Sequence, residues 1–258
     1  MADHAPVIGR KIEVALLLSV CTGASLLTTP ASATTSSAIS VELFNPKARR
    51  RIPLALYHPG PRRPLAVLLP GVGAQLGDYS FLANDLARGG FAVAEVQLEL
   101  PGDPSIPTSG HVAELRAAEL HSGVNSLGYA IAALKRLRYA SATQPVVLVG
   151  HSNGGDVAML YQAERPGEVA MIFSLDNLRV PIARTSDPHI CSLRSSDKVA
   201  DVGVLPDDEQ RAQFNIEIQQ GKMRHDRMWN GGTGAEKRVM LTALARCLKH
   251  RRTPRSGP

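Results

Sequence analysis

The sequence predicts an α/β fold, a mostly parallel sheet covered by helices on both faces. Three observations predict it. From about residue 40 the chain alternates short apolar runs with stretches of helical length, the order expected of strands joined by crossover helices. The runs are continuously apolar, as in Leu65-Ala66-Val67-Leu68-Leu69, which is how strands buried on two faces read. Gly and Pro punctuate the boundaries, and no internal repeat or second linker divides the chain. With 258 residues, 44% hydrophobic and 20% charged, the composition excludes collagen-like, disordered and cystine-knot proteins. One domain over residues 34–258 is long enough to bury roughly 70% of the surface of its unfolded chain.

In order, Ser40–Phe44 and Ile52–Tyr57 read as two β-segments joined by the polar turn Asn45–Arg51, and Pro64–Leu69 as a buried strand ending at Pro70-Gly71-Val72-Gly73. A helix over about Tyr79–Arg88 stops at Gly89-Gly90 and leads into the strand Phe91–Val96. After a Pro/Gly/Ser-rich loop, Pro101–Gly110, comes an amphipathic helix over about Val112–Leu137. Then follow strand Pro145–Val149, helix Val157–Glu164, strands Val169–Leu175, Ile190–Leu193 and Phe214–Ile218, and a last helix over Ala235–Lys249.

The first 33 residues read as an export signal. Arg10-Lys11 precede the apolar run Val14–Val20, and Ala31-Ser32-Ala33 supplies the small side chains that signal peptidase requires, placing the cut after Ala33 and the protein in the periplasm or outside the cell. The run is too short and interrupted to serve as a membrane anchor. Cys21 as a lipidation site is a lesser alternative, because Val20 stands where Gly or Ala is required. Export places Cys191 and Cys247 in an oxidising compartment, where they pair if the fold brings their Cα atoms within about 7 Å. The formal charge of +6 includes basic clusters at Lys47–Arg51 and Lys249–Arg252. Without interleaved aromatics or a nucleic-acid motif these read as solvated loops, and no nucleic-acid partner is expected.

The chemistry concentrates at Gly150-His151-Ser152-Asn153-Gly154, a G-x-S-x-G sequence directly after a β-branched strand and before a helix. The two glycines let the serine occupy a tight, strained turn that lifts it clear of the sheet. The helix behind contributes its positive dipole, and the Asn153 N–H points to where a carbonyl oxygen becomes negative.

These residues, with Arg51–Pro59 and Leu68–Gly73, resemble the α/β-hydrolase family over about residues 40–250, closest to small bacterial hydrolases of the dienelactone-hydrolase-like and platelet-activating-factor-acetylhydrolase-like branch. The resemblance implies a serine nucleophile, Ser152, and a Ser, acid, His order along the chain. It implies a second oxyanion N–H from the loop after the third strand: Val72, or Gly73 if the register slips by one. That loop reads Pro70-Gly71 where the family often has His-Gly. Dienelactone hydrolases proper use cysteine, so their substrate does not carry over.

The order limits the base to His189, His225 or His250. His225 lies in a polar loop between the last strand and the final helix, where the family places its base. His151 reads as a turn residue beside the nucleophile, and His111 and His121 lie upstream. For the acid, Asp197 follows the Ile190–Leu193 strand and is the expected partner of His225, with Asp201 and Asp176 as alternatives. No H-E-x-x-H, paired C-x-x-C or P-loop is present, so no cofactor or metal is implied.

Carboxylic ester hydrolysis through an acyl-enzyme is the expected activity, on a small-molecule ester. Amidase or acyltransferase chemistry uses the same triad, and an inactive secreted binding protein on the same fold is the reading from another class. No long insertion separates Asp176 from His189, so no sizeable lid is expected, and Trp229, Tyr79 and Phe81 are candidate wall residues.

Overall fold

The computed structural model describes residues 38–107 and 112–250. The expected signal with its cut after Ala33, Cys21, His111, and Arg251-Arg252 lie outside the described residues. One eight-stranded sheet organises the rest, in the order β1-β2-β4-β3-β5-β6-β7-β8. Strands β1 (Ile39–Asn45) and β2 (Arg50–Tyr57) form an antiparallel hairpin, with Leu43 opposite Ile52. Asn45 Oδ1 accepts the N–H groups of Lys47 and Ala48 and so closes its turn. β2 runs antiparallel to β4 (Ala92–Val96). β3 (Leu65–Leu69), β5 (Val146–His151), β6 (Val169–Leu175), β7 (His189–Arg194) and β8 (Glu217–Gln220) complete the parallel part.

Side-chain alternation explains why the central strands are apolar throughout. Leu65, Val67 and Leu69 of β3 join one core cluster with Leu127 and Leu134 of α3 (Ala117–Arg136) and Val157 and Tyr161 of α4 (Asn153–Glu164). Ala66 and Leu68 face the other way, onto Leu82 and Leu86 of α1 (Ser80–Arg88) and Met240 and Leu244 of α6 (Gly234–Leu248). Both faces are therefore covered, and each fully buried leucine contributes about 2 kcal/mol of apolar transfer.

Three elements differ from the sequence expectation. The helix expected over 112–137 is two, α2 (Val112–Leu115) and α3, meeting at Arg116, whose Nε donates to the Pro107 carbonyl at 2.6 Å. α4 starts at Asn153, four residues earlier than expected, because the strained Ser152 itself ends the strand side of the turn. Phe214 closes a helix, α5 (Asp208–Phe214), so the strand following it is shifted to Glu217–Gln220. The capping box between Asp207 and Gln210 starts α5 and was the sequence signal for it. β6 and β7 are joined by residues 176–188 with no helix inserted, so no sizeable lid stands there. No helix of the described residues is long and apolar enough to cross a membrane.

Candidate active site

Ser152 sits between β5 and α4 at φ 52 and ψ −119, a backbone conformation that L-residues rarely hold. Its neighbours make that turn possible. A Cβ at Gly150 would lie 2.4 Å from the Gly154 carbonyl oxygen, and one at Gly154 would lie 2.1 Å from the Leu69 carbonyl oxygen. Only glycine fits at either place, and the serine hydroxyl is thereby presented at the carboxyl end of the sheet.

Ser152 Oγ is 3.0 Å from His225 Nε2, and His225 Nδ1 is 2.6 Å from Asp176 Oδ2. An ionised carboxylate only accepts, so Nδ1 carries the proton and Nε2 accepts the serine hydroxyl. His225 opens a short 3₁₀ turn, His225–Arg227, between β8 and α6, the loop anticipated for it. The carboxylate at the ring is Asp176, and this corrects the expectation of Asp197. Asp176 directly follows β6, the strand paired to β5, at φ 59. Asp197 follows β7, one strand further out, and accepts the backbone N–H of His225 at 2.7 Å. Asp201 is ion-paired with Arg179 and does not reach the ring.

Asp176 is fully buried. Burial works against its charge, but the His225 ring, the Arg194 guanidinium and Ser195 outweigh it and hold the carboxyl below its ordinary range. The Asn153 N–H is among those that a helix start leaves without an intrahelical acceptor. In the loop after β3 the Gly73 N–H donates to Glu99 Oε2 at 3.2 Å, and the Gly71 N–H to Tyr79 Oη at 3.3 Å. Val72 lies between them, so of the two expected alternatives Gly73 is already engaged and Val72, among the described residues, is not. The serine opens into a cleft of about 480 Å³ walled by Val72, Tyr79, Leu178, Arg179, Lys198 and Trp229. Phe81 lies outside that wall, under the Lys237 ammonium.

No protein-family model and no curated protein matches this sequence. Solved structures do match in fold. A thermostable esterase aligns with a TM-score of 0.59 at 16% identity over 84% of this chain, which spans 64% of that esterase's length. A ferulic acid esterase from Streptomyces cinnamoneus aligns at 0.56 and 17% identity, covering 90% of this chain and 96% of its own. A dienelactone hydrolase-like promiscuous phosphotriesterase from metagenomic libraries aligns at 0.59 and 13%, covering 84% and 100%.

The chain has the α/β-hydrolase fold. Its structural neighbours include esterases and dienelactone-hydrolase-like proteins, the latter in line with the dienelactone-hydrolase-like resemblance of the sequence.

Around the hydrolase-fold elbow the remaining polar groups hold loops in place. Asp156 of α4 is buried and accepts the N–H groups of Leu178, Arg179 and Val180 at 3.2, 2.9 and 2.8 Å, which pins the segment running on from Asp176. Burial lifts its carboxyl to about 6 despite those donors. His151 is buried beside the nucleophile as anticipated, with Nδ1 2.7 Å from Tyr79 Oη. Burial, and secondly the His225 ring 4.7 Å away, push it down to about 3 and keep it neutral.

Three other histidines are occupied elsewhere: His189 against Glu217 and the His250 ring, His121 against Glu164. Cys191 and Cys247 form a disulfide with Cα atoms 6.1 Å apart, tying β7 to α6. His189 lies close to both sulfurs, but their bond to each other removes the thiolates a metal would need. The basic cluster at Lys47–Arg51 is partly paired as well, Arg50 with Asp103 and Arg51 with Glu42.

Proposed function

We propose that this protein is a serine hydrolase that cleaves small carboxylic esters. The observation that carries the reading is the continuous Ser152–His225–Asp176 chain, at 3.0 and 2.6 Å, in an open cleft. Ser152 Oγ attacks the ester carbonyl while His225 Nε2 takes its proton. The tetrahedral oxyanion is held by the N–H groups of Asn153 and Val72. His225 then returns the proton to the departing alcohol, leaving an acyl-serine. A water attacks that acyl group by the same route, His225 first taking its proton and then returning it to Ser152. Asp176 keeps Nδ1 protonated and stabilises the imidazolium.

Labelling by a fluorophosphonate and turnover of short-chain p-nitrophenyl esters test the reading. Wild-type protein should react in both assays. Ser152→Ala and His225→Ala, at unchanged Tm, should lose on the order of a million-fold in kcat. Turnover of amides or acyl transfer to an alcohol in preference to water would move the assignment to an amidase or acyltransferase. Failure of wild-type protein in both assays leaves a binding protein on a hydrolase fold.

We further infer export to the periplasm or beyond, with removal of residues 1–33. The disulfide supports this, since such bonds persist in oxidising compartments. N-terminal sequencing of protein from the native host should begin at Thr34, and an intact Met1 in soluble cytoplasmic material would exclude it.

A further inference from the structure

The triad acid has a buried cation behind it. Arg194, the last residue of β7, is 4% exposed, and its Nη2 stands 2.8 Å from Asp176 Oδ1, which is fully buried. Its other terminal nitrogen donates to the Asn177 carbonyl at 2.8 Å and to Ser192 Oγ at 3.3 Å, which fixes the fork. The Nη2 proton is not aligned on the carboxylate, so this contact acts mainly through charge. The two oxygens of Asp176 are thus divided. Oδ1 faces Arg194 and the Ser195 N–H at 3.1 Å, and Oδ2 faces His225.

We propose that Arg194 is a positioning residue for the triad, which fixes Asp176 in one orientation through Oδ1 and so keeps Oδ2 aimed at His225 Nδ1. The proposal deepens the serine-hydrolase reading, on which its functional meaning rests. A fully buried carboxylate stays an anion only when a cation or several donors face it. The guanidinium on the far oxygen supplies that charge, so the oxygen facing His225 remains a full acceptor.

The groups that face each partner leave Arg194 as the cation able to do this. His225 meets Asp176 from the loop after β6 and His151 and Ser152 from the elbow. It meets Asp197 through its backbone N–H, and Arg224 and Asp226 beside it pair with each other. Lys198 stands on the cleft wall and is exposed. Arg194 faces Asp176 directly and Asp156 of α4 at longer range, with the neutral Asn177 and Ser192 completing its surroundings.

The test follows the His225 Nδ1 proton, which is hydrogen-bonded to Asp176 Oδ2, by NMR in the full chain labelled with ¹⁵N-histidine, and needs no turnover. Arg194→Gln keeps a donor amide without the charge, and Arg194→Lys keeps the charge without the fork. The downfield signal of that proton should be lost or moved upfield in Arg194→Gln and retained in Arg194→Lys, and kcat on a p-nitrophenyl ester should fall about tenfold or more in the Gln variant, with KM little changed, and recover in the Lys variant. A wild-type signal in the Gln variant, or its equal loss in both variants, overturns the proposal. Should Arg194→Gln not fold, the Lys variant decides: a retained signal supports the proposal and a lost one overturns it. Absence of fluorophosphonate labelling at Ser152 counts against the hydrolase reading alone and leaves the signal comparison intact.

Discussion

Asp197 accepts the backbone N–H of His225 at 2.7 Å, so it holds the loop that carries the base, while the ring of that base belongs to Asp176. The two aspartates therefore separate by experiment. Asp176→Asn should lower kcat by roughly ten-thousand-fold, since an amide at Oδ2 favours the wrong tautomer of His225. Asp197→Ala removes the hydrogen bond to the His225 N–H and the ion pair with Arg224 at an exposed site, and should cost about 1 kcal/mol of stability and no more than about tenfold in kcat. Equal losses from the two variants would exclude this division of labour.

Gly154 has no room for a methyl group, with the Leu69 carbonyl oxygen 2.1 Å from where it would sit. Gly154→Ala should destabilise by about 3 kcal/mol or more, since the backbones of β3 and α4 must part. Denaturant unfolding measures this. A Gly167→Ala control, at a surface turn with φ 89, tests conformational strain without any such collision and should cost less.

Glu95 on β4 is buried with Oε2 accepting the Gly77 N–H at 2.8 Å, and burial raises its carboxyl to about 7. A raised acid binds its proton more tightly folded than unfolded. Stability from this group is therefore full below the unfolded value near 4.5 and declines as pH rises toward about 7. Glu95→Gln should raise Tm at pH 8 relative to wild type and change it little at pH 4. A variant less stable than wild type at pH 8 would show that the ionised form is the one the fold accommodates.

Reduction of the Cys191–Cys247 bond opens a covalent link across 56 residues of sequence. Loop-closure entropy puts its contribution at about 2–5 kcal/mol. Replacing both cysteines by Ala should lower Tm while ester turnover below the new transition persists, because the bond joins β7 to α6 on the sheet face rather than in the cleft. Thermal scans with and without reductant give the same comparison.

Short-range patterns determined much of this protein. Strand order along the chain follows from apolar runs, and the elbow from Gly150 and Gly154, whose roles depend on atoms within a few residues or on the adjacent strand. His225 was legible because one polar loop separates the last strand from the last helix. Tertiary structure decided the matters that depend on sheet order. Asp176 and Asp197 both follow strands, and only the order β5-β6-β7 brings the first to the ring and leaves the second at the backbone. Val72 stands apart from Gly73 because Glu99, beyond β4, takes the Gly73 N–H. The pairing of Cys191 with Cys247 and of Arg194 with Asp176 likewise joins residues from different elements. Local sequence carries steric and capping constraints, whereas the neighbour of a buried charge is set by which strands lie side by side.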